Sequence, residues 1–181
     1  NTKTHTLNPI ASEYTSLHGV CSHGGNVCMV AGAAAIPEEI ISITPPSSPT
    51  VVYSPASLPI DTEELSQPGS IFFPSAGGQT VHAFYYPPTN TLHSAFNSDL
   101  PPAIAICHGG PTGATDSGLN LKIQYWTNRG FAVVDINYRG STGFGRTYRQ
   151  ELVNAWGLAD VACPSACWDR STLPTHHRSF P

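Results

Sequence analysis

Charge is scarce in this chain. Charged residues make up 11% of the 181 residues and hydrophobic residues 40%, whereas ordinary soluble domains carry roughly 25% charged residues. A lone, highly soluble globule is not the natural expectation. The eight Lys and Arg stand singly, so no basic stripe offers itself to a phosphate backbone, and no nucleic-acid partner is expected. Long apolar runs are missing as well. The longest, around Val27 to Ile36, is broken by Gly32 and ends at Pro37, short of the ~18–20 residues that span a bilayer, so no membrane partner is expected either. Asn1 stands where an initiator Met would, and no basic stretch with an apolar core follows it. The expectation is a chain without a signal peptide and with upstream sequence missing. The cysteines (Cys21, Cys28, Cys107, Cys163 and Cys167) are odd in number, whereas a disulfide-stapled secreted fold uses an even set in a shorter chain. A reducing, cytoplasmic setting fits better.

What is present divides into regions. Residues 13–43 read as short strands, with turns at Ser22-His23-Gly24-Gly25 and Ala35-Ile36-Pro37, a spacing that fits an antiparallel meander such as a propeller blade. Such a piece cannot bury a core alone. A Pro-, Ser- and Thr-rich stretch follows and reads as a linker over 46–70. From Ile71 the pattern changes. Ile71–Pro74 and Thr80–Tyr86 predict two strands joined at Ser75-Ala76-Gly77-Gly78, the second suited to a place near a sheet edge. Ala103–Cys107 and Phe131–Ile136 are apolar runs of the kind found in strands buried on both faces. Leu119, Ile123 and Trp126 predict a helix that stops at Gly130, and Phe144, Tyr148, Leu152 and Trp156 predict another. Strand, helix, strand, helix at these lengths is the beginning of a parallel α/β sheet.

Two loops leave those buried strands. His108-Gly109-Gly110-Pro111 follows the first. Glycines there let backbone approach a ligand closely, at the strand edge where open α/β sheets bind ligands. Such a turn can aim N–H groups at a developing oxyanion; it can equally be a plain tight turn. His23-Gly24-Gly25 contains the same triplet between meander strands, where a turn suffices. The second loop, Asn137 to Gly145, has glycines spaced G-x-x-G-x-G, which matches neither a dinucleotide fingerprint nor a phosphate loop. No cofactor is expected.

Together these segments carry a resemblance. HGGP at 108–111, IQYWTNRGFAVVDINYRGSTGFG at 123–145 and Trp156-Gly157 followed by Asp160 closely resemble the start of the catalytic domain of the prolyl oligopeptidase family, especially its acylaminoacyl-peptidase-like and dipeptidyl-peptidase-like branches. The resemblance implies a truncated α/β-hydrolase domain over 71–161, preceded by the last blade of a β-propeller over 1–45. It implies a serine peptidase acting on short peptides in the full-length parent. Gly109 and Gly110 match the oxyanion-hole turn, with the Gly110 N–H the favoured donor. His108 and Pro111 complete the motif, and Arg139 matches a structural loop arginine.

The family nucleophile sits in a G-x-S-x-G elbow, and none occurs in these 181 residues. Ser141 lies in G-S-T-G, the wrong spacing. With the triad absent, the expectation is a chain inactive by itself, or alternatively a non-catalytic product that binds a partner through an open sheet edge. Oligomeric state is not legible. Residues 162–181 carry two prolines between 162 and 174 and no helical period, so they are expected to be an unrelated, disordered tail arising from a shifted frame, a retained intron or a faulty gene model. Cys163, Cys167, His176 and His177 lack zinc-ligand spacing, so no metal is expected.

Overall fold

The computed structural model describes residues 3–6, 9–55, 57–75, 78–92, 100–110 and 112–167. It divides into two compact units. One is built on the residues up to Pro59 with Ser117–Asn120, the other on Ile60–Asp116 and the residues from Leu121 onward.

The first unit is an antiparallel meander, β1(Ser16–His23), β2(Asn26–Ala33), β3(Ile36–Ile43) and β4(Thr50–Tyr53), paired in sequence order. Gly24 and Gly25 hold φ of 57° and 85° between the closing pair His23 and Asn26. Positive φ at both central residues is what a two-residue type I′ hairpin demands, and it accounts for the first His-Gly-Gly triplet. Ala31, Ile41 and Ile43 face a small core with Ala11. The fourth strand revises the linker expected over 46–70. Thr50-Val51-Val52-Tyr53 is β-branched and aromatic, which suits a pleated surface, and it pairs with β3 through Ile40, Ile41 and Ser42. The Pro- and Ser-rich residues around it set the composition of the stretch and conceal it.

In the second unit β5(Gly69–Pro74), β6(Thr80–Tyr86), β7(Ala103–Cys107) and β8(Ala132–Asn137) form a sheet of order β5-β6-β8-β7. β5–β6 and β6–β8 are antiparallel, and β7–β8 is parallel. β6 therefore lies one strand in from β5, near the sheet edge as expected for Thr80–Tyr86, and β5 and β7 are the outer strands among the described residues. All six residues of β8 are buried, and its period-2 alternation divides the core. Ala132, Val134 and Ile136 pack with Ala103 and Ala105 of β7 on one face; Val133 packs with Ile104 and Ile106 on the other. A strand covered on both faces needs a continuous apolar run, which is why this segment shows no alternation in sequence.

α1(Leu121–Thr127) links β7 to β8, beginning two residues later than the spacing predicts. It is pinned by buried Gln124, whose amide accepts from the Ser66 N–H at 2.8 Å and donates to the Ser66 carbonyl at 3.1 Å. Gly130, at φ 84°, follows as the left-handed residue expected past a helix end. The helix predicted through Phe144–Trp156 is shorter than expected: α2 covers Gly145–Gln150, and Asn154 at φ 60° and Gly157 at φ 83° are incompatible with continuing it.

α3(Ala159–Ala166) then runs across the expected start of an unrelated tail. Ala159, Cys163 and Cys167 are buried in the same core as β8, one helical stripe at i, i+4, i+8. Their burial outweighs the interior Pro164, which removes one backbone donor. The remainder of that tail, with His176 and His177, lies outside the described residues, as do Ala76, Gly77 and Pro111. Among the described residues no helix is long and apolar enough to cross a membrane.

Candidate functional site

The parallel register of β7 and β8, with Cys107 opposite Ile136, brings both glycine-rich loops out of the same end of the sheet. Residues 108–110 therefore emerge beside 137–139. Tyr138 stacks on His108 with ring centroids 4.4 Å apart and planes within 17°. Its hydroxyl donates to the Gly110 carbonyl at 2.8 Å, with a longer contact to the His108 carbonyl at 3.3 Å. Burial pushes the Tyr138 phenol up from its ordinary value, so it stays a neutral donor near pH 7.

Ser141, fully buried, donates its single hydroxyl proton to the Tyr138 carbonyl at 2.7 Å. It must therefore accept at its 2.7 Å contact with His108 Nε2, which places a hydrogen on that nitrogen. The Thr142 N–H donates to the Gly113 carbonyl at 2.9 Å. A Cβ on Gly113 would sit 2.9 Å from His108 Nδ1, so only glycine lets the turn close on the ring. Tyr138, Ser141 and Thr142 thus clasp the turn from the neighbouring loop.

Gly110 adopts φ 74° and a side chain there would meet open space, as it would at Gly109. Among the described residues neither amide N–H finds an acceptor, and both glycines are exposed. Two unpaired amides in an exposed, braced turn at a strand's C-terminal end can receive an anionic or carbonyl oxygen. Arg139 sits elsewhere in the loop, 3.6 Å from Glu151; its interactions with Cys163 of α3 and with that carboxylate hold its pKa up against the opposing effect of burial.

Beneath the turn lies a second, buried layer. Asn137 accepts from the Thr115 N–H at 2.8 Å and donates to the Thr115 carbonyl at 3.1 Å. The Thr115 hydroxyl donates to Asp135, whose carboxyl burial pushes above the ordinary carboxylate range. His82 of β6 stands behind Asn137, their Nδ1 and Nδ2 atoms 3.2 Å apart. None of these was singled out from sequence. The one available signal was that two parallel strands in equal register must juxtapose the loops that follow them.

Residues 117–169 match the sequence model described as the prolyl oligopeptidase family. Over this segment the chain is similar to the prolyl oligopeptidase family. The match runs to 169, past the break placed after Val161, in agreement with α3 packing into the core. Two curated relatives are dipeptidyl aminopeptidase BIII of Pseudoxanthomonas mexicana, 38% identical over 60 residues (33% of this chain, 9% of that protein), and the acylamino-acid-releasing enzyme of Arabidopsis thaliana, 35% identical over 81 residues (45% and 10%). Among solved structures, a puromycin-hydrolyzing peptidase of Mycobacterium tuberculosis superposes with a TM-score of 0.87 at 33% identity, covering 92% of this chain and 26% of that one. The chain thus spans about a tenth of the length of these curated relatives and about a quarter of that family structure. The family's α/β-hydrolase architecture accords with the mixed sheet of the second unit.

Proposed function

We propose that this chain carries the opening strands of the catalytic domain of a serine peptidase that hydrolyses peptide bonds in short peptides, preceded by the last blade of a β-propeller. The observation that supports it most is the clasped turn. The Gly109 and Gly110 amides belong to an exposed turn and have no acceptor among the described residues, and the turn is held by Tyr138 and Ser141. In acyl transfer such preorganised donors stabilise the oxygen of the tetrahedral intermediate, and we assign the Gly110 N–H that role. His108 and Arg139 shape the turn and its partner loop. The four-stranded β1–β4 meander supports the blade reading.

These 181 residues contain no G-x-S-x-G elbow, so by themselves they are expected not to turn over substrate; oxyanion donors without a nucleophile leave only a residual effect. Purified 1–181 chain is incubated with peptidyl chromogenic substrates and a fluorophosphonate probe. Absence of turnover and of labelling is expected, whereas hydrolysis blocked by the probe would overturn the reading. A second reading, partner binding through an open edge, is favoured by β7 lying unpaired on its outer side among the described residues. Size-exclusion and pull-down measurements separate the two, since a defined stoichiometric complex supports only the second.

A further inference from the structure

The layer under the turn contains a titratable group in an unusual position. His82 is buried and enclosed by Phe72, Phe84 and Phe144, with ring centroids 5.1, 4.8 and 5.0 Å away. Its Nε2 lies 2.8 Å from Ser70 Oγ and its Nδ1 lies 3.2 Å from Asn137 Nδ2. The orientation of Asn137 is fixed independently, because its oxygen must face the Thr115 N–H. The nitrogen facing His82 is therefore a donor, and His82 Nδ1 must be an acceptor. A proton on Nδ1 would set donor against donor.

We propose that His82 and Asn137 form a proton-sensitive brace on Thr115, which positions the segment behind the His108–Gly110 turn and lets it go when the ring takes a second proton. The chain of contacts is continuous: ring to Asn137 amide, amide to both backbone groups of Thr115, and Thr115 hydroxyl to Asp135. Among the described residues no carboxylate is in direct contact with the ring. β5 contributes Ser70 and Phe72, and the loop after β8 contributes Phe144. Asp135 of β8 is coupled to Asp116 and His108, and the Tyr148 hydroxyl of α2 donates to the Asn137 carbonyl at 2.6 Å. Burial lowers the His82 pKa from the ordinary histidine value. The brace is therefore intact at neutral pH and opens in acid. The corresponding stability is fully present above about pH 6.5, the unfolded histidine value, and is lost as pH falls toward the lower folded value.

The catalytic meaning of the brace rests on the peptidase reading; its proton response does not, so the two fail separately. The test is a 15N-histidine and amide-exchange titration of the whole 181-residue chain. Expected are a His82 ring protonated on Nε2 alone at neutral pH, and a Thr115 protection factor that falls by roughly tenfold or more across the His82 midpoint, as loss of a buried hydrogen-bond partner implies. In Asn137→Asp the carboxylate accepts from the charged ring, so the midpoint moves up and protection no longer falls with protonation. In His82→Phe the Thr115 step disappears. A hydrogen on Nδ1 at neutral pH, or Thr115 protection that is flat through the midpoint, would overturn the proposal. The tautomer is read on the unsubstituted chain, so the proposal stays falsifiable where a variant fails to fold.

Discussion

Gly140 offers the sharpest quantitative test of the loop that clasps the turn. It holds φ of 113°, and a Cβ built on it would lie 2.4 Å from Leu152 Cβ, 2.9 Å from Cδ2 and 3.0 Å from Cγ. Leu152 is buried in the main core of the second unit with Tyr138 and Cys163. A rotamer change would move Cγ and Cδ2 but not Cβ, so Gly140→Ala can be accommodated only by shifting backbone. Gly143 is an internal control, with a comparable φ of 91° and nothing within 4 Å of the place a methyl group would take. Both alanines incur the backbone strain of a disfavoured φ, about 1–3 kcal/mol. Gly140→Ala adds overpacking of about 1–3 kcal/mol. The pair should therefore separate by roughly 0.5–1.5 M in urea midpoint, for an m-value of about 2 kcal/mol/M. Double-mutant cycles sharpen the assay. Leu152→Gly, which removes the offending Cβ, should couple favourably with Gly140→Ala, and Leu152→Ala should rescue less because that atom remains. Coincident midpoints for the two glycine variants, or equal rescue by both Leu152 substitutions, would refute the reasoning.

Three further outcomes follow from the same contacts. Tyr138→Phe keeps the stack on His108 but removes the hydroxyl that donates to the Gly110 carbonyl at 2.8 Å, so a loss of about 1 kcal/mol in urea unfolding is expected, with a changed carbonyl 13C shift at Gly110. Ser141→Ala deletes a fully buried hydroxyl bonded to both His108 and the Tyr138 carbonyl, with a larger expected loss of about 1–3 kcal/mol and a changed His108 ring 15N shift. Asp135→Asn tests the sign of a buried carboxyl. Burial raises its folded pKa, so its favourable contribution is present below the unfolded value of about 3.9 and fades as pH rises through the folded value. Urea midpoints between pH 4 and 7 should therefore show the Asn variant gaining on the parent chain as pH increases.

How much of this was legible in the sequence depends on where each signal is stored. The two strands Ala103–Cys107 and Ala132–Asn137 were readable because burial on both faces requires an unbroken apolar run. β4 was not, because four β-branched and aromatic residues at 50–53 stand among prolines and serines, and average composition outvotes so short a segment. α3 was hidden differently. Its buried stripe is Ala159, Cys163 and Cys167, small residues at helical spacing, but cysteines near prolines and histidines invite a reading as metal ligands or as noise. Pro164 inside the helix reinforces the error, since an interior proline ordinarily disfavours a helix. The overlong helix expected from Phe144 to Trp156 fails for the converse reason: a four-residue period persists across Asn154, whose positive φ only the folded backbone reveals.

For the site, the divide falls between the turn and what holds it. The His-Gly-Gly triplet occurs at 108–110 and also at 23–25; the flanking segments already set them apart in sequence, and the fold shows what the difference consists of. At 23–25 the glycines close a hairpin whose strands bond to each other, so the turn is the whole explanation. At 108–110 the turn is gripped by residues about 30 positions away, through Tyr138 and Ser141, and is backed by Asn137 on Thr115. Those contacts exist because β7 and β8 run parallel in the register that sets Cys107 against Ile136, and register is a property of two segments jointly. A braced turn keeps its amides aimed when nothing is bound, which is the condition for donors to stabilise developing charge without reorganising. The distinction between a bend in the chain and a candidate oxyanion site therefore lies in the clasp, and substitutions in the clasp should alter the turn while leaving both of its glycines in place.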